Sequence, residues 1–553
     1  MSKHRRFAAC LSVALATATA LAPGAALAST TPSHMLISVK GAGTQPDASA
    51  LSSHGYAAAG RPAGETKNVT GTVTTTLSVI GTNAFSAKAT ATAKDSGGAA
   101  TFTYSYNWGD GTAVTTADTH VYATVGSYIV TVSVTDSLGD AGTDTFAFAT
   151  WGLNYPAYGP TRLLDTRNGT GVPSVGKIPA KGTVKLQIAG AGPAADPIPQ
   201  DVIAVVLNVT VTDAAGAGFI TAYDDGVAAP TTSNVNYVKG QTVPNLVVVP
   251  VGSDGIVDLL NGGQQAGSVD LVADVSGYFT AAVASGYTPV TPDRLLDTRN
   301  GTGAPEAKVP AGGSVVLQIA GADGGDLPAT GIAAVALNVT ATDPTGNGFV
   351  TVFPDGGATP NASNVNYVKG QTIANAVIVP VAADGKIDLT NAGTEAGSVD
   401  LVADVVGYYS PGAGSAYAPI YPTRIIDTRD PAVYGAGPLP NGGELSEDTG
   451  IEAPASLAVF PEITGFIYNA TITEPKGDGF LTVYPDAGDN GVNGLTTPPP
   501  NTSSLNWTPG ETVPNLVQAT PGTEDGYIDF YNGGGSGGTT DLVLDEFGFY
   551  ELK

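Results

Sequence analysis

The sequence predicts an all-β protein in which one sandwich domain precedes three tandem β-sandwich or β-barrel repeats. Three observations predict it. The apolar runs are short, about four to eight residues, and end at Gly, Pro, Asn or Asp. Glycine (73) and proline (39) are frequent enough to interrupt helical spacing throughout. Finally, Arg-Leu-Leu-Asp-Thr-Arg begins at Arg162 and at Arg294, and Arg-Ile-Ile-Asp-Thr-Arg begins at Arg424.

The chain opens on a leader, residues 1–28. Lys3, Arg5 and Arg6 form a basic start, residues 7–20 an apolar run, and Ala26-Leu27-Ala28 a cleavage site. Export with cleavage after Ala28 is expected, giving a secreted protein. The only cysteine, Cys10, lies in this leader, so disulfide scaffolds, thiolate metal sites and cysteine nucleophiles are excluded from the mature chain. No later stretch approaches the roughly 18 apolar residues of a membrane span. The formal charge of −26 disfavours nucleic acid and leaves glycans, surface proteins and cations as partners.

Residues 29–65, rich in Ala, Ser, Gly, Thr and Pro, read as a flexible linker. Residues 66–150 turn to alternating β-branched runs such as Tyr128-Ile129-Val130-Thr131-Val132-Ser133-Val134. They carry Tyr106-Asn107-Trp108-Gly109-Asp110-Gly111, then His120-Val121-Tyr122, then Gly126-Ser127-Tyr128 leading to Asp136. This segment resembles a PKD (polycystic-kidney-disease) domain, with Tyr106 standing where that family usually has Trp. The resemblance implies an immunoglobulin-like sandwich that serves as spacer or interaction domain. Its glycines would make a tight turn, its aromatics would fill the core, and His120 and Tyr122 would brace the next strand.

The repeats follow as residues 151–281, 282–412 and 413–553. Each has an apolar strand with a central asparagine (Asn208, Asn338, Asn469), then Gly-Phe at Gly218, Gly348 and Gly479, and a closing Leu-Val-x-Asp strand. The asparagines head glycosylation sequons, but inside apolar strands their amides are expected to bond backbone. Changes and an insertion near residues 488–500 suggest a terminal, solvent-facing third copy. The repeats resemble those of secreted proteins from high-GC Gram-positive bacteria, which implies context and no active site.

Histidine is absent from the repeats, which excludes Ser–His–Asp catalysis and His-ligated zinc there. Carboxylates remain: Asp165, Asp213, Asp258, Asp270 and Asp274 recur as Asp297, Asp343, Asp388, Asp400 and Asp404, and as Asp427, Glu474, Asp529, Asp541 and Asp545. A glycosidase would need two of them facing across a cleft, but threefold recurrence at strand and turn positions points to structure. Asp224-Asp225-Gly226, Pro354-Asp355-Gly356 and residues 485–491 offer oxygens to calcium, or ordinary hairpin turns; no cofactor is otherwise indicated. Asn236 with Tyr237, Asn366 with Tyr367 and Asn506 with Trp507 offer an aromatic face beside an amide, suited to a sugar, or else turn and core residues.

Arg162, Asp165, Arg167 and Asp274 recur as Arg294, Asp297, Arg299 and Asp404, and as Arg424, Asp427, Arg429 and Asp545. A carboxylate in an apolar closing strand needs a partner. One arginine of each opening motif is therefore expected to bond the closing-strand aspartate. The function expected is noncatalytic: extracellular interaction or adhesion, with neutral polysaccharide as a ligand. An extracellular polysaccharide hydrolase using paired carboxylates is the alternative.

Overall fold

A computed structural model describes residues 71–552, apart from 84, 99–100, 151, 264–266, 323–324, 394, 396, 435–436, 450–462, 487–497, 523–525 and 535–537. The leader, the linker and most of the insertion lie outside the described residues. Among the described residues there is no α-helix, and no helix long and apolar enough to cross a membrane.

The first domain is a sandwich of two antiparallel three-stranded sheets. Its strands are β1 (Val73–Asn83), β2 (Ser86–Asp95), β3 (Phe102–Asn107), β4 (Thr119–Val121), β5 (Gly126–Asp136) and β6 (Ala141–Thr150), ordered β1-β2-β4 and β3-β5-β6. Alternation sets the faces: Val130, Val132 and Val134 point inward onto Trp108 and Tyr122. Gly109 takes φ +81°, and a Cβ there would stand 2.6 Å from the Ile129 carbonyl, so only glycine fits this turn.

The first repeat has eight strands: β7 (Ala157–Asp165), β8 (Thr183–Gln187), β9 (Ala204–Thr212), β10 (Gly218–Asp224), β11 (Val235–Tyr237), β12 (Val243–Pro250), β13 (Ile256–Gly262) and β14 (Asp270–Phe279). They form two sheets, β7-β14-β9-β12 and β8-β13-β10-β11. That order is the jelly-roll connectivity, two Greek keys folded face to face. The other two repeats reproduce it strand for strand, from Ser285–Asp297 to Asp400–Pro411 and from Ala416–Asp427 to Asp541–Glu551.

In β9, β12 and β14 nearly every residue is buried, without the alternation of a one-sided sheet. The reason is a second partner. Val205, Leu207, Val209 and Val211 face the repeat's own core. Ala204 and Val206 face a separate core shared with Ala334, Ala336, Ile378, Ile467, Leu516 and the aromatics Tyr155, Tyr287, Tyr409, Tyr417 and Tyr550. The three inner sheets thus enclose one common core. Backbone bridges join the three entry segments pairwise as well: Tyr155 with Ser285, Tyr287 with Ser415, and Leu153 with Tyr417. The third copy is therefore no solvent-facing cap, because it closes a ring against the first. The first domain docks beside these entry segments through Val125 N–H on the Ala281 carbonyl (3.0 Å) and Phe85 on Ala416.

Candidate functional site

The recurring polar residues converge on the seams between copies. In the first copy Arg162 Nε and Nη2 grip the Asp274 carboxylate at 2.8 and 3.1 Å, a two-point contact across β7 and β14. Arg294 holds Asp404 and Arg424 holds Asp545 in the same way. The second arginine of each motif turns to the motif's own aspartate: Arg167 Nη2 lies 2.7 Å from Asp165, and Arg299–Asp297 and Arg429–Asp427 repeat it.

Each closing-strand aspartate also reaches the next copy. Asp274 accepts the Ser363 N–H at 3.2 Å, Asp404 that of Ser503 at 3.3 Å, and Asp545 that of Ser233 at 3.5 Å. Burial pushes these three carboxyls above their ordinary range, opposed by the arginine each one meets. The Asp165, Asp297 and Asp427 carboxyls are held below it by bonds from Arg167, Arg299 and Arg429, which outweigh burial.

The sequon asparagines complete each seam. Asn208 donates to the Ser363 carbonyl, Asn338 to that of Ser503, and Asn469 to that of Ser233. Their Oδ1 atoms accept from Asn375, Asn515 and Asn245, each in the neighbouring copy. This second asparagine set was not anticipated, although its recurrence inside apolar strands was there to be read.

The aromatic residues expected to offer sugar platforms are core. Tyr237 and Tyr367 are 3% exposed and Trp507 4%, and the two tyrosine hydroxyls donate to Asn261 and Asn391. Gly218, Gly348 and Gly479 make room for these rings, since a Cβ there would fall within 2.6 Å of each. Their burial leaves no ring face for stacking, a correction to the sugar reading. Asn236 and Asn506 accept from Ser233 and Ser503, and with Asn366 stay partly exposed.

Of the turn carboxylates considered for calcium, Asp225 bonds Lys185 at 2.5 Å, and residues 487–491 lie outside the described residues. Three other carboxylates meet in the first domain. Asp95 at the end of β2, Asp136 at the end of β5 and Asp140 in the following turn bring one oxygen each within 4.8 Å of the others. Asp136 is 7% exposed; its Oδ1 accepts the N–H groups of Leu138 and Asp140, and its buried Oδ2 has no hydrogen-bond partner. Asp140 also accepts the Gly71 N–H at 3.2 Å. Elsewhere in this domain His120 stacks on Trp108 and both meet Tyr122 edge to face, and His120 Nε2 lies 2.7 Å from Asp110.

No curated protein matches the chain. Among solved structures it is similar to the M60 catalytic domain with two CBM51 domains from Clostridium perfringens ZmpB, at 11% identity and TM-score 0.15, covering 89% of this chain and 56% of that one. The chain thus spans about half the length of that protein. It is similar to a protein in the Sulfolobus turreted icosahedral virus structure (9%, 73% of this chain and 91% of that one, TM-score 0.14). A third is the Bacteroides ovatus mixed-linkage glucan utilisation protein SGBP-B in complex with a heptasaccharide (11%, 83% and 91%, TM-score 0.13). Likenesses at these scores carry no argument about function. Residues 69–150 match the family model of the PKD domain, so the chain contains a PKD domain there.

Proposed function

We propose that the chain is a secreted, noncatalytic adhesion scaffold in which a closed ring of three jelly rolls carries a PKD domain toward a neutral polysaccharide or a surface protein. One observation carries the reading. The arginines, aspartates and asparagines that recur in all three copies bond each other within and across the seams, where they hold the ring. A hydrolase needs two carboxylates flanking an open cleft, whereas Arg162 stands against both Asp165 and Asp274. The PKD domain supports an extracellular setting, where such domains are typical.

The Asp95–Asp136–Asp140 cluster adds a cation to this reading. Calcium takes oxygen ligands from carboxylates and backbone carbonyls, and the buried, unpartnered Asp136 Oδ2 is the atom such an ion would satisfy.

The test is retention of the full mature chain on insoluble neutral glycans and on the envelope of producing cells, with and without calcium. Sugar release is measured in the same samples. The reading expects retention without release. Release of reducing ends would replace it with the hydrolase, and retention on neither surface would remove it.

A further inference from the structure

The three copies are internal controls for one another, and the third breaks a rule that the first two keep. In β14 and β9 Val275 pairs across the strands with Leu207; in the second copy Val405 pairs with Leu337. At the same register the third copy pairs Glu546 with Tyr468. From the opposite sheet, where the first two copies supply Leu186 and Leu317, the third supplies Glu447. The six apolar residues are buried in their cores. Two carboxyls and a phenol thus replace two leucines and a valine at one spot.

Tyr468 donates to Glu447 Oε1 at 3.3 Å, while Glu447 Oε2 is buried without a partner. Burial pushes the Glu447 carboxyl up to about 8, with Glu546 adding to the push, and the Glu546 carboxyl up to about 7. The groups acting on Glu447 are acidic or phenolic, namely Glu546, Asp448, Tyr434 and Tyr468, and Glu546 in turn faces the phenols of Tyr468 and Tyr417. Arg424, which enters beside Glu546, is committed to Asp545 and Asp427. On the other face of these strands, one residue away, lie Asn469 and Asp545, the third copy's contacts to the first.

We infer that the third copy is a pH-responsive element, in which ionisation of Glu447 and Glu546 loosens the seam between the third and first copies. The sign follows from the neutral form being the one the fold favours. The stability these groups contribute is complete below the ordinary glutamate range and is lost as pH rises through about 7 to 8. The other two seams, backed by leucine and valine, lack these glutamates and keep only the raised closing-strand aspartate that all three seams share.

Hydrogen exchange of the full chain between about pH 6 and pH 9, corrected for intrinsic rate, reads this directly. Strands Ile463–Thr473 and Asp541–Glu551 should lose at least about tenfold more protection than β9 and β14, since each pH unit below the raised value of either carboxyl is about tenfold. Glu447→Leu with Glu546→Val, the residues of the first copy, should abolish the difference. Should that variant misfold, Glu447→Gln with Glu546→Gln removes the charge at nearly constant shape. Equal loss in all copies, or a difference that survives either variant, would overturn the proposal.

Discussion

Asn245 and Asn469 share a 2.7 Å hydrogen bond although 224 residues separate them. That bond joins the first copy to the third and turns a string of three domains into a ring. Asn245 is fully buried, donates also to the Asn234 carbonyl, and accepts the Leu516 N–H at 3.0 Å.

Asn245→Ala should therefore leave several buried groups unsatisfied at once, each costing about 1–3 kcal/mol. The expected result in chemical denaturation is a loss of about 3 kcal/mol or more. Val238→Ala, at an exposed position of the same copy, should change little. Equal small effects would mean that the seam contributes nothing.

Much of the outer architecture was legible in the sequence, because one-sided strands advertise their faces. The alternation in 128–134 gave the inward valines, and the recurring Arg-x-x-Asp-Thr-Arg motif with a charged closing strand gave the pairing of Arg162 with Asp274. The ring was less legible. β9 and β12 read as apolar on both faces apart from one asparagine each and the threonines of β9, which tells that both faces are covered but not by what. Tyr237 misled for a related reason: a tyrosine beside an asparagine suits a sugar site and a satisfied core equally, and only the space above Gly218 separates them. Glu447 and Glu546 were invisible because their meaning lies in the leucines and valines they replace.

The aromatic positions give the second prediction. Tyr237→Ala or Trp507→Ala should lower the melting temperature sharply, since emptying a large buried aromatic typically costs about 3–5 kcal/mol. Glycan retention by whatever fraction stays folded should be unchanged. Loss of retention at an unchanged melting temperature would restore these rings as binding platforms.

Acid gives the third. Asp165, Asp297 and Asp427 are held below the ordinary carboxylate range, so their contribution is complete above about pH 4 and lost as pH falls through the lowered values. Asp274, Asp404 and Asp545 are shifted the other way and favour the fold at low pH. Asp165→Asn should therefore flatten the acid limb of a melting-temperature profile, and Asp274→Asn should not. Identical profiles for both would show that the two aspartates do not differ as their surroundings require.

Calcium gives the fourth. Adding calcium to chelator-treated protein should raise the melting of the PKD domain, because an ion bound only by the folded state stabilises it by mass action. Asp136→Asn should remove the effect. A calcium response that persists in that variant would place the ion elsewhere.

Calorimetry tests the closed ring most directly. Asp404 bonds Arg294 within the second copy and Ser503 of the third, and breaking a buried pair from one side costs about 3–5 kcal/mol. In Asp404→Ala the three jelly rolls should still melt together, in one transition displaced as a whole to lower temperature. Separate transitions, with only the second copy's displaced, would contradict a ring and leave three independent domains on a string.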